Sequence, residues 1–416
     1  MRAMHEGDPD EWSGGALLLP KHTSGRILLR RRLDLPRTPA SARTRGAEIG
    51  SDIGKAGLMT IPSLQPDSVE MDIVFHAVDG GSDIGERVPS VFGYAWPAYR
   101  SWFLRDGESA RASYAESVRQ LRRHMPELMP TYERLVEAVG GGDLEARFLS
   151  HWSPPPLFAA CSMAAWTRDA NLLVRNYDFP PALCDTTVLR SAWNGTGVLA
   201  MSDCVWGALD GINGFGLAVA ISFGGRKVVG PGFGIGLVVR YLLEFARDVP
   251  EALEVLNRLP LAMAYNVALV DAAGGAAVAY VAPDRPMSVG PWTTAANRQG
   301  ATEWPEHAEF CSTVERELAL SEAVADPTMT AASLVQAFLQ RPLYRPTAES
   351  TWGTVYTSVY DSDQRTMTLA WPDARWTLSM DTFVEDSVAR RSLVALPPRD
   401  HAPMPPTAQE RPLLIA

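Results

Sequence analysis

Between residues 110 and 139 apolar side chains recur at helical spacing: Val118, Leu121, Leu128, Tyr132, Leu135 and Val139. That period predicts helix. Pro126 and Pro130 divide it into segments, and Gly140-Gly141-Gly142 ends it. A shorter helical stretch follows at 144–149. After Ser153-Pro154-Pro155-Pro156 the pattern changes to short apolar runs between turn residues. Runs at 171–177, 187–193, 197–201 and 216–223 read as strands, and Gly211-Ile212-Asn213-Gly214 reads as a hairpin turn. Helical patterns return at 234–247 and 250–259. Two further hairpins follow, 266–271 with 276–281 and 355–360 with 366–371, and helices at 312–323 and 330–339 separate them. A last strand is expected at 375–379. Short loops between strands imply antiparallel pairing, because parallel pairs need long crossovers. The expected class is α+β, antiparallel sheets covered by helices.

The ends of the chain differ from this body. Residues 1–66 carry an Arg-rich stretch, several Pro, Ser and Gly, and little periodicity, which predicts a disordered leader. Order is expected from about Met71, and the Pro-rich tail from 397 on is expected to be loose.

Composition narrows the function. The 416 residues hold 38 Lys+Arg against 48 Asp+Glu, a formal net charge of -10. This sign disfavours a nucleic-acid partner and a membrane-surface role through basic patches. Four cysteines, Cys161, Cys184, Cys204 and Cys311, are too few for a disulfide framework. None forms a C-x-x-C pair, so no metal site is expected. The acidic N-terminus lacks the apolar core of a signal peptide, and no run approaches a spanning length. A soluble cytoplasmic protein is the default expectation.

Candidate chemistry centres on two segments. Phe158-Ala159-Ala160-Cys161-Ser162-Met163 places a cysteine between small residues where the helical half meets the sheet half. Taken alone, Cys161 reads first as a buried structural thiol, the commoner fate of a free cysteine. Val174-Arg175-Asn176-Tyr177-Asp178-Phe179 puts two opposite charges at the end of an apolar strand. Three apart, they face opposite sides unless a bend intervenes, and Pro180-Pro181 follows at once. An ion pair at a strand end is the plain alternative.

Together these segments resemble the start of the catalytic chain in N-terminal nucleophile cysteine hydrolases. The nearest resemblance is to acyl-coenzyme A:6-aminopenicillanic-acid acyltransferase-like proteins, with bile-salt and penicillin V hydrolases more distant. Further segments agree in order: Gly81-Ser82-Asp83-Ile84-Gly85, the hairpin Asp210–Leu217, the Asn-bearing strand 265–272, Ala295-Ala296-Asn297-Arg298, and Ser312 with Arg316. Three departures stand out. Ala160-Cys161-Ser162 replaces Gly-Cys-Thr, Val174 replaces a Gly, and Arg298 replaces a His, which bears on substrate preference.

The resemblance implies a four-layer α/β/β/α sandwich. It also implies a precursor that cuts itself at Ala160–Cys161 and keeps residues 67–160 paired with 161–396 as a heterodimer. Cys161 then carries a free α-amine, whose pKa of about 7.7–8.0 makes it a usable base. In this reading Asp178 orients that amine, Arg175 stabilises the thiolate, and Asn266 is the candidate oxyanion donor. Ser222, Asn297 and Arg298 are candidate substrate contacts. Tyr177, Phe179, Trp193, Trp206 and Phe223 are candidates for an apolar acyl pocket. The implied chemistry is acyl transfer from a linear amide or acyl thioester to water or an amine. No cofactor is implied; a coenzyme A thioester could serve as substrate. The alternative is a non-catalytic or unprocessed scaffold of the same fold. A papain-type peptidase lacks support, since no Cys-His pair has suitable local sequence.

Overall fold

A computed structural model of the chain describes residues 69–84, 87–346 and 352–395. The expected leader and tail lie outside the described residues, as does Gly85. Helices come first, after one strand: β1 (Val69–Asp79), α1 (Arg87–Phe103), α2 (Tyr114–His124), α3 (Met129–Ala138) and α4 (Asp143–Leu149). The sheet half runs β2 (Ala160–Trp166), β3 (Leu172–Phe179), β4 (Thr187–Ser191), β5 (Val198–Asp203), β6 (Gly207–Asn213) and β7 (Ala218–Phe223). Then come α5 (Ile235–Phe245), α6 (Val249–Arg258), β8 (Tyr265–Val270), β9 (Ala276–Ala282), β10 (Arg285–Val289) and β11 (Thr294–Ala295). The order closes with α7 (Pro305–Phe310), α8 (Thr313–Ala325), α9 (Ala331–Phe338), β12 (Gly353–Asp361), β13 (Thr366–Trp371), β14 (Ala374–Ser379) and β15 (Val388–Ala395).

Among the described residues the strands form two sheets. The larger runs β10-β9-β8-β7-β6-β5-β4-β1-β15 and the smaller β11-β2-β3-β12-β13-β14. Strands β2 and β3 pack on β7 and β8, so the sheets lie face to face. Helices α5 and α6 cover the outer face of the larger sheet, while α8 and α9 cover that of the smaller. This is the four-layer α/β/β/α sandwich that the resemblance implies. The alternation of strand side chains divides the interior accordingly. Met163, Ala165, Leu173 and Tyr177 belong to the core between the sheets. Ala164, Trp166, Leu172 and Val174 pack outward on Leu320, Leu334 and Phe338.

Several elements depart from the sequence pattern. Pairing is antiparallel with one exception: β1 lies parallel to β4, in register from His76 opposite Thr187. The helix α1, the strands β1 and β15, and the β1–β15 pairing are additions. The expected turn at 211–214 lies three residues later. Gly211 sits inside β6, where a Cβ would meet the Ala200 Cβ and Leu243 Cδ1 at 2.7 Å. Its glycine makes room for α5. The turn itself is carried by Asn213, whose Oδ1 accepts from the amides of Phe215 and Leu217, both at 3.0 Å. Its Nδ2 donates to the Leu243 and Ala246 carbonyls at the end of α5. Gly216, at φ 86°, supplies the left-handed residue.

Among the described residues no helix is long and apolar enough to cross a membrane. Asn213→Ala strands two amides and two carbonyls in the interior. It is expected to lower stability by roughly 2–4 kcal/mol, read from urea unfolding; a loss near zero would show that water replaces the clamp.

Candidate functional site

The site is built by the β2–β3 pairing, which sets Cys161 opposite Tyr177, Met163 opposite Arg175 and Ala160 opposite Asp178. Arg175 and Asp178 therefore point to opposite faces of the smaller sheet, as their spacing requires. Both are buried, as are Ala160 and Cys161. The Cys161 thiol and Arg175 share the inner face. Arg175 Nη2 donates to Cys161 Sγ at 3.4 Å, and its Nη1 donates to Asp210 Oδ2 at 2.6 Å. Asp210 is the one charge in β6. It also accepts from Tyr360 at 2.8 Å and Ser358 at 3.0 Å. Burial pushes the Cys161 thiol above its ordinary value, and Arg175 opposes that shift. The thiol thus needs a base before it can attack.

On the outer face, Asp178 Oδ1 accepts from Thr354 Oγ1 at 2.7 Å. Its Oδ2 is buried without a hydrogen-bond partner, 3.7 Å from Arg316 Nη1. Burial raises the Asp178 pKa, with Arg316 the largest opposing influence. Arg316, from α8, is a hub that the sequence reading left without a role. It donates to the carbonyl of Cys161, to Ser162 Oγ at 2.8 Å and to Asn297 Oδ1 at 2.7 Å. Asn297 in turn accepts the Cys161 amide at 3.0 Å, while its Nδ2 donates to the Phe223 carbonyl at 3.0 Å and reaches the Ala159 carbonyl at 3.4 Å. One asparagine thus touches the chain on both sides of the Ala160–Cys161 bond.

Asn266 is placed differently. Its Nδ2 donates to Ser222 Oγ, the Ala296 carbonyl and the Arg298 carbonyl. These contacts hold the 296–298 segment and Ser222, which itself donates to the Ala296 carbonyl at 2.5 Å. Asn266 supports Asn297 from behind and does not reach Cys161. Arg298 pairs with Glu317 and is partly exposed.

A cavity of about 70 Å³ opens beside the thiol. Its lining includes Cys161, Arg175, Tyr177, Ser222 and Phe223 from the sheets. Trp102, Phe103, Phe148, His151 and Pro154 supply walls from before Cys161. Of the five aromatic candidates, Tyr177 and Phe223 line it; Phe179, Trp193 and Trp206 pack elsewhere. A second buried thiol, Cys311, lies 3.4 Å from His307 Nε2. Burial pushes that thiol up to about 12 and the imidazole down to about 4. Both stay neutral, the reverse of an activated pair.

A matching family model covers residues 166–376, just over half of the chain, and describes acyl-coenzyme A:6-aminopenicillanic acid acyl-transferase. The chain belongs to that family. The match begins just after Cys161, so the nucleophile segment lies outside it. No curated protein matches the sequence. Among solved structures, penicillin V acylase from Agrobacterium tumefaciens is similar at 15% identity. It covers 56% of this chain and 90% of its own, with a TM-score of 0.37. A mutant of conjugated bile acid hydrolase from Clostridium perfringens is similar at 13% identity, over 56% of this chain and 96% of its own, with a TM-score of 0.34.

One acidic residue of a buried pair stands in the cavity wall. Asp203 lines it, and nearby Asp185 accepts from Tyr99 at 2.5 Å. Burial raises both, Asp185 to about 7 and Asp203 to about 6, from an ordinary 3.8, and the charge of Asp203 adds to the rise of Asp185. The folded state therefore holds these protons more tightly than the unfolded chain. The pair costs nothing at pH 4 and costs progressively more as pH rises through 7. Asp185→Asn is expected to raise the melting temperature at pH 8 and to lose that advantage toward pH 4. A gain of equal size at both pH values would mean that its origin is packing and not charge.

Proposed function

We propose that the chain is a self-processing acyltransferase or amidohydrolase that works through a thioester on Cys161. The observation that supports it most is the division of labour across β2. On one face the thiol meets a cation and a cavity. On the other, a carboxylate oxygen without a hydrogen-bond partner stands opposite Ala160.

In the first step the Cys161 sulfur attacks the carbonyl carbon of Ala160. The C–N bond breaks, its nitrogen takes the proton that the thiol gives up, and a thioester joins Ala160 to Cys161. Water then hydrolyses the thioester, releasing the Ala160 carboxylate and leaving Cys161 with a free α-amine. That amine is the base the buried thiol lacks. Asp178 Oδ2 accepts from it, and Asn297 Oδ1 already holds the same nitrogen. In turnover the amine takes the thiol proton, the thiolate attacks an amide or thioester carbonyl, and the leaving amine or thiol departs with that proton. Water or an amine then takes the acyl group. Arg175 favours the thiolate, and the Arg175–Asp210 pair fixes the guanidinium.

Asn297 is proposed as the side-chain oxyanion donor ahead of Asn266, because its Nδ2 reaches the Ala159 carbonyl, one residue before the carbonyl that reacts. Asn266 is the residue that positions it. The small fragment stays bound, since it supplies a wall of the cavity.

Wild-type protein is expected to separate under denaturing conditions into pieces of 160 and 256 residues before any trimming, with Cys161 at the new N-terminus. Cys161→Ala is expected to give one full-length band. An uncut wild type that still turns over acyl donors would overturn the mechanism.

The oxyanion assignment has its own test. Asn297→Ala is expected to slow cutting and turnover by about 10²–10³-fold, the usual loss for one such donor. Asn266→Ala is expected to cost less in turnover once the protein is cut. The opposite ranking would return the role to Asn266.

A further inference from the structure

We propose that the processed protein takes a peptide as its acyl group, and that an aromatic box of Phe223, Trp304 and His307 is the subsite that reads it. This rests on the catalytic reading above and adds the substrate class.

Self-cutting makes the chain its own first acyl donor. In that step the group carried by the Cys161 sulfur is the peptide that ends at Ala160. Any later acyl group is bonded to the same sulfur, with its carbonyl at the same oxyanion donor. The residues just before Cys161 therefore mark where an acyl group lies.

Four consecutive residues there are each held. Leu157 and Ala159 line the cavity beside the thiol. The Ala159 carbonyl is reached by Asn297 Nδ2 at 3.4 Å. Ala160 stands opposite Asp178 in the sheet and is fully enclosed, which keeps the last residue of the acyl group small. Phe158 packs elsewhere. It is 7% exposed, and its ring centre lies 5.0 Å from that of Phe223 and 5.2 Å from that of Trp304, edge-to-face with both.

The rings that receive Phe158 also hold one another. Phe223 lies 6.2 Å from Trp304 and 5.0 Å from His307, and Trp304 lies 5.1 Å from His307. Burial pushes the His307 imidazole down to about 4, so it is neutral and the box carries no charge of its own. All three rings follow Cys161 in the chain, and Phe158 precedes it. The cut therefore puts the ring on one piece and its seat on the other.

Turnover requires that seat to empty. The Ala160 carboxylate has to move off the sulfur before a second carbonyl can reach it. Phe158, two residues along, moves with it, while β1 and the helices α1–α4 keep the small fragment in place. A peptide with an aromatic residue two places before a small last residue then refills the path. The Cys161 sulfur attacks the carbonyl of that last residue and the bond to the leaving amine breaks. The amine departs with the thiol proton, and the peptide remains on Cys161 as a thioester. Water releases it as a carboxylate.

The test uses cut wild-type protein at pH 7.5 with three donors at limiting concentration. They are acetyl-Leu-Phe-Ala-Ala p-nitroanilide, acetyl-Leu-Ala-Ala-Ala p-nitroanilide, and p-nitrophenyl acetate, which needs no box. Acylation of Cys161 is read by mass on the 161–416 piece. The Phe-containing peptide is expected to react about 10–100-fold faster than its Ala counterpart, the worth of burying one phenylalanine side chain. Phe158→Ala, once cut, is expected to raise the rate with the Phe-containing donor, because the resident ring no longer competes. A ring that serves packing alone gives no such gain. Equal rates for the two peptides in wild type overturn the role of the box, whatever the variant does, and leave the catalytic reading standing. Acylation of Cys161 by p-nitrophenyl acetate and by neither peptide overturns the substrate class and also leaves that reading standing. Failure of all three donors at Cys161 removes the catalytic reading and the proposal with it.

Discussion

The site depends on the register of β2 against β3. A strand shows its side chains alternately to two faces, and a slip of one residue would exchange them all. Here the register puts the thiol of Cys161 over Arg175 and the peptide before it beside Asp178. The inner face offers a cation, a cavity and a core. The outer face offers Asp178, Arg316 and Asn297. No single environment could both favour a thiolate and hold an amine. Using the two sides of one strand lets each atom of Cys161 keep its own surroundings. The register is well defended, because Met163, Leu173 and Tyr177 on one face and Ala164, Leu172 and Val174 on the other would all be misplaced by a slip.

Holding that strand in place means burying charge. Arg175 and Arg316 are both fully enclosed. Buried guanidinium groups persist only where carboxylates and carbonyls answer nearly every N–H. Asp210 answers for Arg175 and is itself anchored by Ser358 and Tyr360. For Arg316 the partners are the carbonyls of Cys161 and Cys311 together with Ser162 and Asn297. The ladder β12, the hairpin β6–β7 and the helix α8 are thus tied to Cys161 through polar contacts, in addition to packing.

Much of this was legible in the sequence. The hairpins around Gly274 and Asp361 and the helix break at Pro126 followed from local pattern, whereas Pro130 sits in the first turn of α3 and breaks nothing. The facing of Arg175 and Asp178 stayed open in the sequence, because Pro180-Pro181 offered a bend, and the β2–β3 register decides it. What escaped was non-local or locally contradictory. Helix α1 carries Pro97 and Gly93 in its interior, residues that argue against helix until aromatic packing by Phe92, Trp96 and Phe148 outweighs them. Strand β1 alternates correctly but finds its neighbours over 100 and 300 residues away. Gly211 looked like a turn because glycine serves turns and close approaches alike. The contact of Asn297 with the Cys161 amide also needed the tertiary structure, since Asn266 and Asn297 each stand in a plausible motif. Arg316 was visible as a motif residue, but nothing local tied it to a carbonyl 155 positions earlier.

Strand β1 has one more consequence. It lies in the interior of the larger sheet, between β4 and β15, although it belongs to the part of the chain before Cys161. If the proposed cut at Ala160–Cys161 takes place, the sheet is completed by a separate molecule. Folding before the cut is a first-order event within one chain. Refolding after the cut is a second-order encounter between two, and dilution works against it. The uncut chain is then the only form that assembles efficiently, and the cut protein persists by the height of its unfolding barrier more than by the depth of its free-energy minimum.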